Sequence, residues 1–89
     1  MSYQTLHQCN YCILSKIDTY LDLVGSDDGI VFYTDTMTRL QHNKLKNNPK
    51  IKHNDIYFII DNNHDNLPTI SYSDWVDLVD MSNRTFTWK

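Results

Sequence analysis

Ile56-Tyr57-Phe58-Ile59-Ile60, held between Asp55 and Asp61, is the most continuous apolar stretch of the chain and decides its class. A run of β-branched and aromatic residues this short is a strand, and its lack of polar alternation predicts a central position buried on both faces. A second such run, Ile30-Val31-Phe32-Tyr33-Thr34, follows the turn Ser26-Asp27-Asp28-Gly29. Upstream, Leu14, Ile17, Leu21 and Val24 recur at helical spacing, with Ile13 and Tyr20 widening the stripe. That spacing predicts an amphipathic helix over residues 10–24, with Lys16, Asp18 and Asp22 facing water. Asn10 is suited to cap its start and Gly25 to end it in a left-handed conformation.

The rest of the chain reads less sharply. Residues 35–45 suggest a short helix with Met37, Leu40 and Leu45 as sparse apolar contacts, and Asn47-Asn48-Pro49 ends it. Asn62-Asn63-His64-Asp65-Asn66 is a loop. Trp75-Val76-Asp77-Leu78-Val79-Asp80-Met81 fits a helix capped by Ser71 or Ser73, and also fits a strand. Arg84-Thr85-Phe86-Thr87-Trp88 alternates as a strand, with the side that meets the core set by register.

These elements predict an α+β domain: the N-terminal helix packed on a small, mostly antiparallel sheet, with Leu14, Ile17, Leu21, Val31, Phe58 and Ile60 in the core. Eighty-nine residues make a single domain of slim stability, a size at which a homodimer is a natural expectation. Ser2 to Gln8 is polar and no apolar run approaches a membrane span, so neither a secretory signal nor a membrane partner is expected and the chain reads as cytoplasmic.

The two cysteines form one C-x-x-C, Cys9-Asn10-Tyr11-Cys12. Placed at a helix start, such thiols feel exposed N–H groups and the positive dipole end, which lower a thiol pKa. The motif differs at one position from the C-P-Y-C of glutaredoxin-like redox proteins. Those carry a proline immediately ahead of their third strand, whereas Pro49 falls several residues too early and Pro68 precedes no long strand. A zinc reading joins His7 to Cys9 and Cys12 as H-x-C-x-x-C, with a fourth ligand from His42, His53 or His64. The third reading makes Cys12 a small buried residue and Cys9 incidental.

The run Cys9-x-x-Cys12 with an immediate helix, a strand ending near Tyr33, the strand Asp55-Ile56-Tyr57-Phe58-Ile59 and a closing segment bearing Trp75 resembles a group of small uncharacterised phage-encoded proteins. Those finish with a cysteine pair after an aromatic strand. Asn83 to Lys89 contains no cysteine, so a four-cysteine metal site does not carry over, and residues 35–54 read as an insertion. The resemblance implies a phage accessory protein, cytoplasmic in the host cell, without a defined activity.

Charge is segregated. All 11 acidic residues are Asp, and none lies between Asp35 and Asp55, where Arg39, Lys44, Lys46, Lys50 and Lys52 collect with His42 and His53. That window is a candidate phosphate contact for a nucleotide or nucleic acid, though a net charge of −3 argues against a dedicated nucleic-acid binder. On a helix, Asp74, Asp77 and Asp80 share a stripe beside Tyr72, Trp75, Phe86 and Trp88. Aromatic anchors ringed by carboxylates suit a basic protein partner. No nucleotide-loop, nucleophile-elbow or zinc-protease motif is present, and the two glycines nearly exclude a phosphate-cradling loop. The function expected is therefore non-enzymatic: binding and modulating a host protein.

Overall fold

A computed structural model of the chain describes residues 3–10 and 17–88. The strands are β1 (Thr5–Asn10), β2 (Gly29–Thr34), β3 (Asp55–Ile60) and β4 (Arg84–Trp88). Three helices alternate with them: α1 (Ile17–Leu21), α2 (Arg39–Lys46) and α3 (Tyr72–Met81). All four strands run parallel in the order β3-β2-β1-β4. The expected mostly antiparallel α+β sheet is thus wrong; the domain is α/β.

The reason lies in the connections. Parallel neighbours need a crossover of a dozen or more residues, and residues 11–28, 35–54 and 61–83 each supply one with a helix inside it. The first two crossovers step outward from β1 and the third returns to its other side. With right-handed crossovers this places α1 and α2 on one face and α3 on the opposite face. The packing agrees. Leu21 of α1 and Leu45 of α2 join Ile30, Phe32, Phe58 and Trp88 on the first face, while Leu78 of α3 joins Leu6, Val31, Ile59 and Tyr3 on the second.

Two local expectations change. Asn10 ends β1 rather than capping a helix, and the described part of the first helix is Ile17–Leu21. Gly25 does not take a left-handed conformation; its N–H donates to Asp28 Oδ2 at 2.7 Å. Of the expected core, Leu21, Val31, Phe58 and Ile60 are buried, while Leu14 and the Ile17 side chain lie outside the described residues.

α2 starts from a reciprocal cap: Gln41 N–H donates to Thr38 Oγ1, and Thr38 N–H donates to Gln41 Oε1. Ser71 and Asp74 build the same device for α3, which settles residues 72–81 as helix. β3 is not central. It is buried on its faces toward the C-terminal end, yet it forms one edge of the sheet, and β4 forms the other.

Candidate functional site

The groove that stands out follows the outer edge of β3. Asp61 N–H donates to Thr34 O at 3.1 Å on the β2 side, while the Phe58 carbonyl accepts from Ile70 N–H at 2.9 Å on the other. Backbone groups alternate along a strand, so Tyr57 and Ile59 address β2, and Ile56 and Phe58 address the outside. Among the described residues, no backbone bond outside the strand ladder reaches the N–H or C=O of Ile56 or the N–H of Phe58.

Asn63 organises the far wall. Its amide donates to Leu67 O at 2.8 Å and its carbonyl accepts from Leu67 N–H at 2.9 Å. Asn66 turns the chain with φ 51°, a conformation Asn tolerates better than most residues. Leu67 is thereby seated in the core, and Pro68-Thr69-Ile70 runs beside β3. The near wall is the C-terminal half of α2. Between the walls lies a cleft of about 450 Å³, floored by Ile56, Tyr57 and Phe58 and flanked by His42, Lys46 and Lys52. The His42 ring lies 4.2 Å from that of Phe58. Burial lowers the His42 pKa below its usual value, helped by the nearby charges of Lys46 and Arg39 and opposed by a hydrogen bond with Asn43.

The groove combines an apolar floor and an open strand edge with charge of both signs. α2 meets it with its carbonyl end, the negative pole of the helix dipole. Asn54 also lines it, but its amide already donates to Gly25 O at 2.8 Å and Asp28 O at 2.9 Å. Asp55, whose carboxylate accepts from Tyr3 OH at 2.6 Å, adds negative charge at one end. What remains is an apolar floor, an open strand edge and two lysines.

The cations of the basic window have different surroundings. Lys46 and Lys52 line the groove; Lys44 is exposed. Lys50 pairs with Asp22 at 2.7 Å, and Arg39 binds Asp65 through its own backbone N–H and its guanidinium.

The aromatic and acidic C-terminal set is also divided. Trp88, expected as an exposed anchor, is 1% exposed and packs on the first face of the sheet. Trp75 packs on the second face against Tyr33 and donates to Gln8 Oε1 at 3.0 Å. Asp74 is occupied by the α3 cap. Asp77, Asp80 and Tyr72 are exposed on α3, where Tyr72 OH donates to Asp61 at 2.6 Å and that carboxylate raises the phenol pKa. Phe86 is exposed on β4, remote in the sheet order from the β3 groove.

His7 and Cys9 share the first face of β1, and Cys12 lies outside the described residues. His7 Nε2 bonds Asp28 Oδ2 at 2.9 Å and its Nδ1 accepts from Trp88 at 3.0 Å, so both ring nitrogens are engaged within the fold. Burial pushes the Cys9 thiol up to about 12, opposite to the shift that a reactive thiolate requires. No cluster of three or more His, Cys, Asp or Glu side chains among the described residues is arranged to hold a metal ion.

Open parallel sheets commonly bind ligands where the strand order reverses, here between the C-terminal ends of β1 and β4. Residues 11–16, next after β1 in sequence, include no glycine, so the sequence of a dinucleotide cradle is missing. Sequence reasoning found Lys46 and Lys52 but missed Ile56, Phe58 and Ile70 as site residues, because their role depends on β3 being an edge. Comparisons with protein-family models, curated proteins and solved structures find no match.

Proposed function

We propose that the protein is a non-enzymatic binding module that takes an extended, acidic segment of a partner protein along the outer edge of β3. The observation carrying this reading is that the Ile56 N–H and C=O and the Phe58 N–H face outward from the edge strand into a cleft flanked by Lys46 and Lys52. An incoming strand would satisfy those groups, as Ile70 already does for the Phe58 carbonyl. The apolar floor would take alternate side chains, and the lysines would select carboxylates. In the reading that the C-x-x-C resemblance implies, the partner is a host protein and the encounter is cytoplasmic. No helix among the described residues is long and apolar enough to cross a membrane, which is compatible with that setting.

An NMR titration of isotope-labelled protein with a short peptide alternating Val and Glu tests the proposal. Saturable shifts should centre on the Ile56 and Phe58 amides and weaken on changing Lys46 and Lys52 to Glu. Saturable binding that leaves those amides unmoved would refute it, as would no binding by this peptide or by longer acidic strand-forming peptides.

A further inference from the structure

The second edge of the sheet is built differently from the first. Along β3, the Pro68-Thr69-Ile70 segment covers part of the strand, and Lys46, Lys52 and Asp55 surround the rest. Charges and covers of this kind keep an edge from pairing with a copy of itself. β4 has no comparable protection among the described residues: Arg84 to Thr87 are all exposed, and no backbone bond reaches their outer side. Phe86 is 43% exposed. Arg84, the only charged side chain in the strand, leans inward, its Nε donating to Thr5 Oγ1 of β1 at 2.7 Å.

The sequence of this edge is self-complementary. Thr85-Phe86-Thr87 is symmetric about Phe86. An antiparallel pair centred there sets Phe86 opposite Phe86 and each Thr85 opposite the other copy's Thr87. Aromatic and threonine pairs of this kind stabilise antiparallel strands, and a two-fold interface requires a surface that matches itself. Pairing β3 edges in the same way would bring four lysines together. We propose that β4 is a dimerisation edge, joining two copies into one continuous sheet of eight strands, with the β3 grooves at its two outer ends. The inference is independent of what the groove binds.

Light scattering on the full chain over a wide concentration range tests it, together with the Phe86→Lys variant, which would set like charges face to face on the two-fold axis. The expected result is a species of twice the chain mass in the wild type and the chain mass in the variant, with both folded by circular dichroism. A wild type that stays at the chain mass up to millimolar concentration would overturn the proposal, as would a dimer that the substitution leaves intact. If Phe86→Lys does not fold, hydrogen exchange of the wild type decides instead. Slowing of exchange confined to β4 amides as concentration rises supports the dimer, and concentration-independent exchange removes it.

Discussion

Trp88 Nε1 donates a hydrogen bond to His7 Nδ1 at 3.0 Å, tying the last strand to the first in the buried layer beneath α1. An indole N–H can only donate, so Nδ1 is an acceptor and the ring proton sits on Nε2, directed at Asp28 Oδ2 2.9 Å away. Asp28 also receives the N–H groups of Thr5 and Gly25. The chain from Trp88 through His7 to Asp28 thus satisfies polar groups at the start of β1 and the entry to β2. Tyr20 stacks on Trp88 at 5.3 Å and Phe32 meets it edge-on, so the indole is also a core side chain.

Trp88→Ala should therefore destabilise the domain strongly, although the residue is penultimate in the sequence. Removing a buried tryptophan costs about 3–5 kcal/mol, and His7 Nδ1 loses its donor as well. Urea unfolding followed by circular dichroism measures this. Trp88→Phe should recover part of the loss, since it restores packing but not the hydrogen bond. A midpoint unchanged by Trp88→Ala would contradict the buried placement.

Asp28→Ala leaves the Thr5 and Gly25 N–H groups and the His7 ring without their acceptor. Thr5 and His7 are buried whereas Gly25 is exposed, and each buried donor left unpaired costs roughly 1–3 kcal/mol, so the variant should be clearly destabilised. Asp27→Ala, exposed and one residue away, is the control and should stay within about 0.5 kcal/mol of wild type.

His42 gives the fold a pH dependence of definite sign. Its folded pKa lies below the ordinary value of 6.5, so as pH falls through that value the unfolded chain takes up a proton first. The contribution is complete above about 6.5 and is lost as pH falls toward the folded value. Across that window His42→Gln should flatten the stability curve measured by denaturant unfolding. An identical slope in both proteins would show that His42 titrates alike folded and unfolded.

Cys9 should resist alkylation at neutral pH in the folded protein and react once urea exposes it, because burial holds the thiol protonated. Site-resolved mass spectrometry after iodoacetamide treatment distinguishes it from Cys12. Rapid labelling of native Cys9 would revive the redox reading.

Proline scanning of β3 separates its two sides. At position 56 the ring removes an N–H directed to the outside, so Ile56→Pro should leave the sheet paired while abolishing peptide binding in the groove. Tyr57 directs its N–H at β2, and Tyr57→Pro should unfold the domain through loss of a ladder bond. Equal effects on folding at the two positions would overturn the assignment of the strand's outer side.

Local chemistry was legible in the residues themselves. The β-branched runs at 30–34 and 56–60, the breaker at Pro49, a serine cap at 71 or 73 and the strand at 84–88 each follow from backbone preference and side-chain period, and the fold has all three strands, with Ser71 as the cap. Strand direction was legible too. Near-continuous apolar runs separated by helix-length connections are the mark of a parallel sheet covered on both faces. β1 gave no such signal, because Thr5, His7, Gln8 and Asn10 look like a solvated segment. Thr5, His7 and Gln8 can lie in a strand between two others because Asp28, Arg84, Trp75 and Trp88, distant in sequence, supply hydrogen bonds to them. The strand order was likewise beyond local reach. An apolar run buries its faces in the same way at the centre or at the rim, so only the return of β4 to the far side of β1 made β3 an edge and opened its groove. The residues by themselves determined the strands at 30–34, 56–60 and 84–88; the tertiary structure decided that 5–10 is a strand, which aromatics are core and which backbone groups face solvent, since these depend on partners that sequence proximity does not reveal.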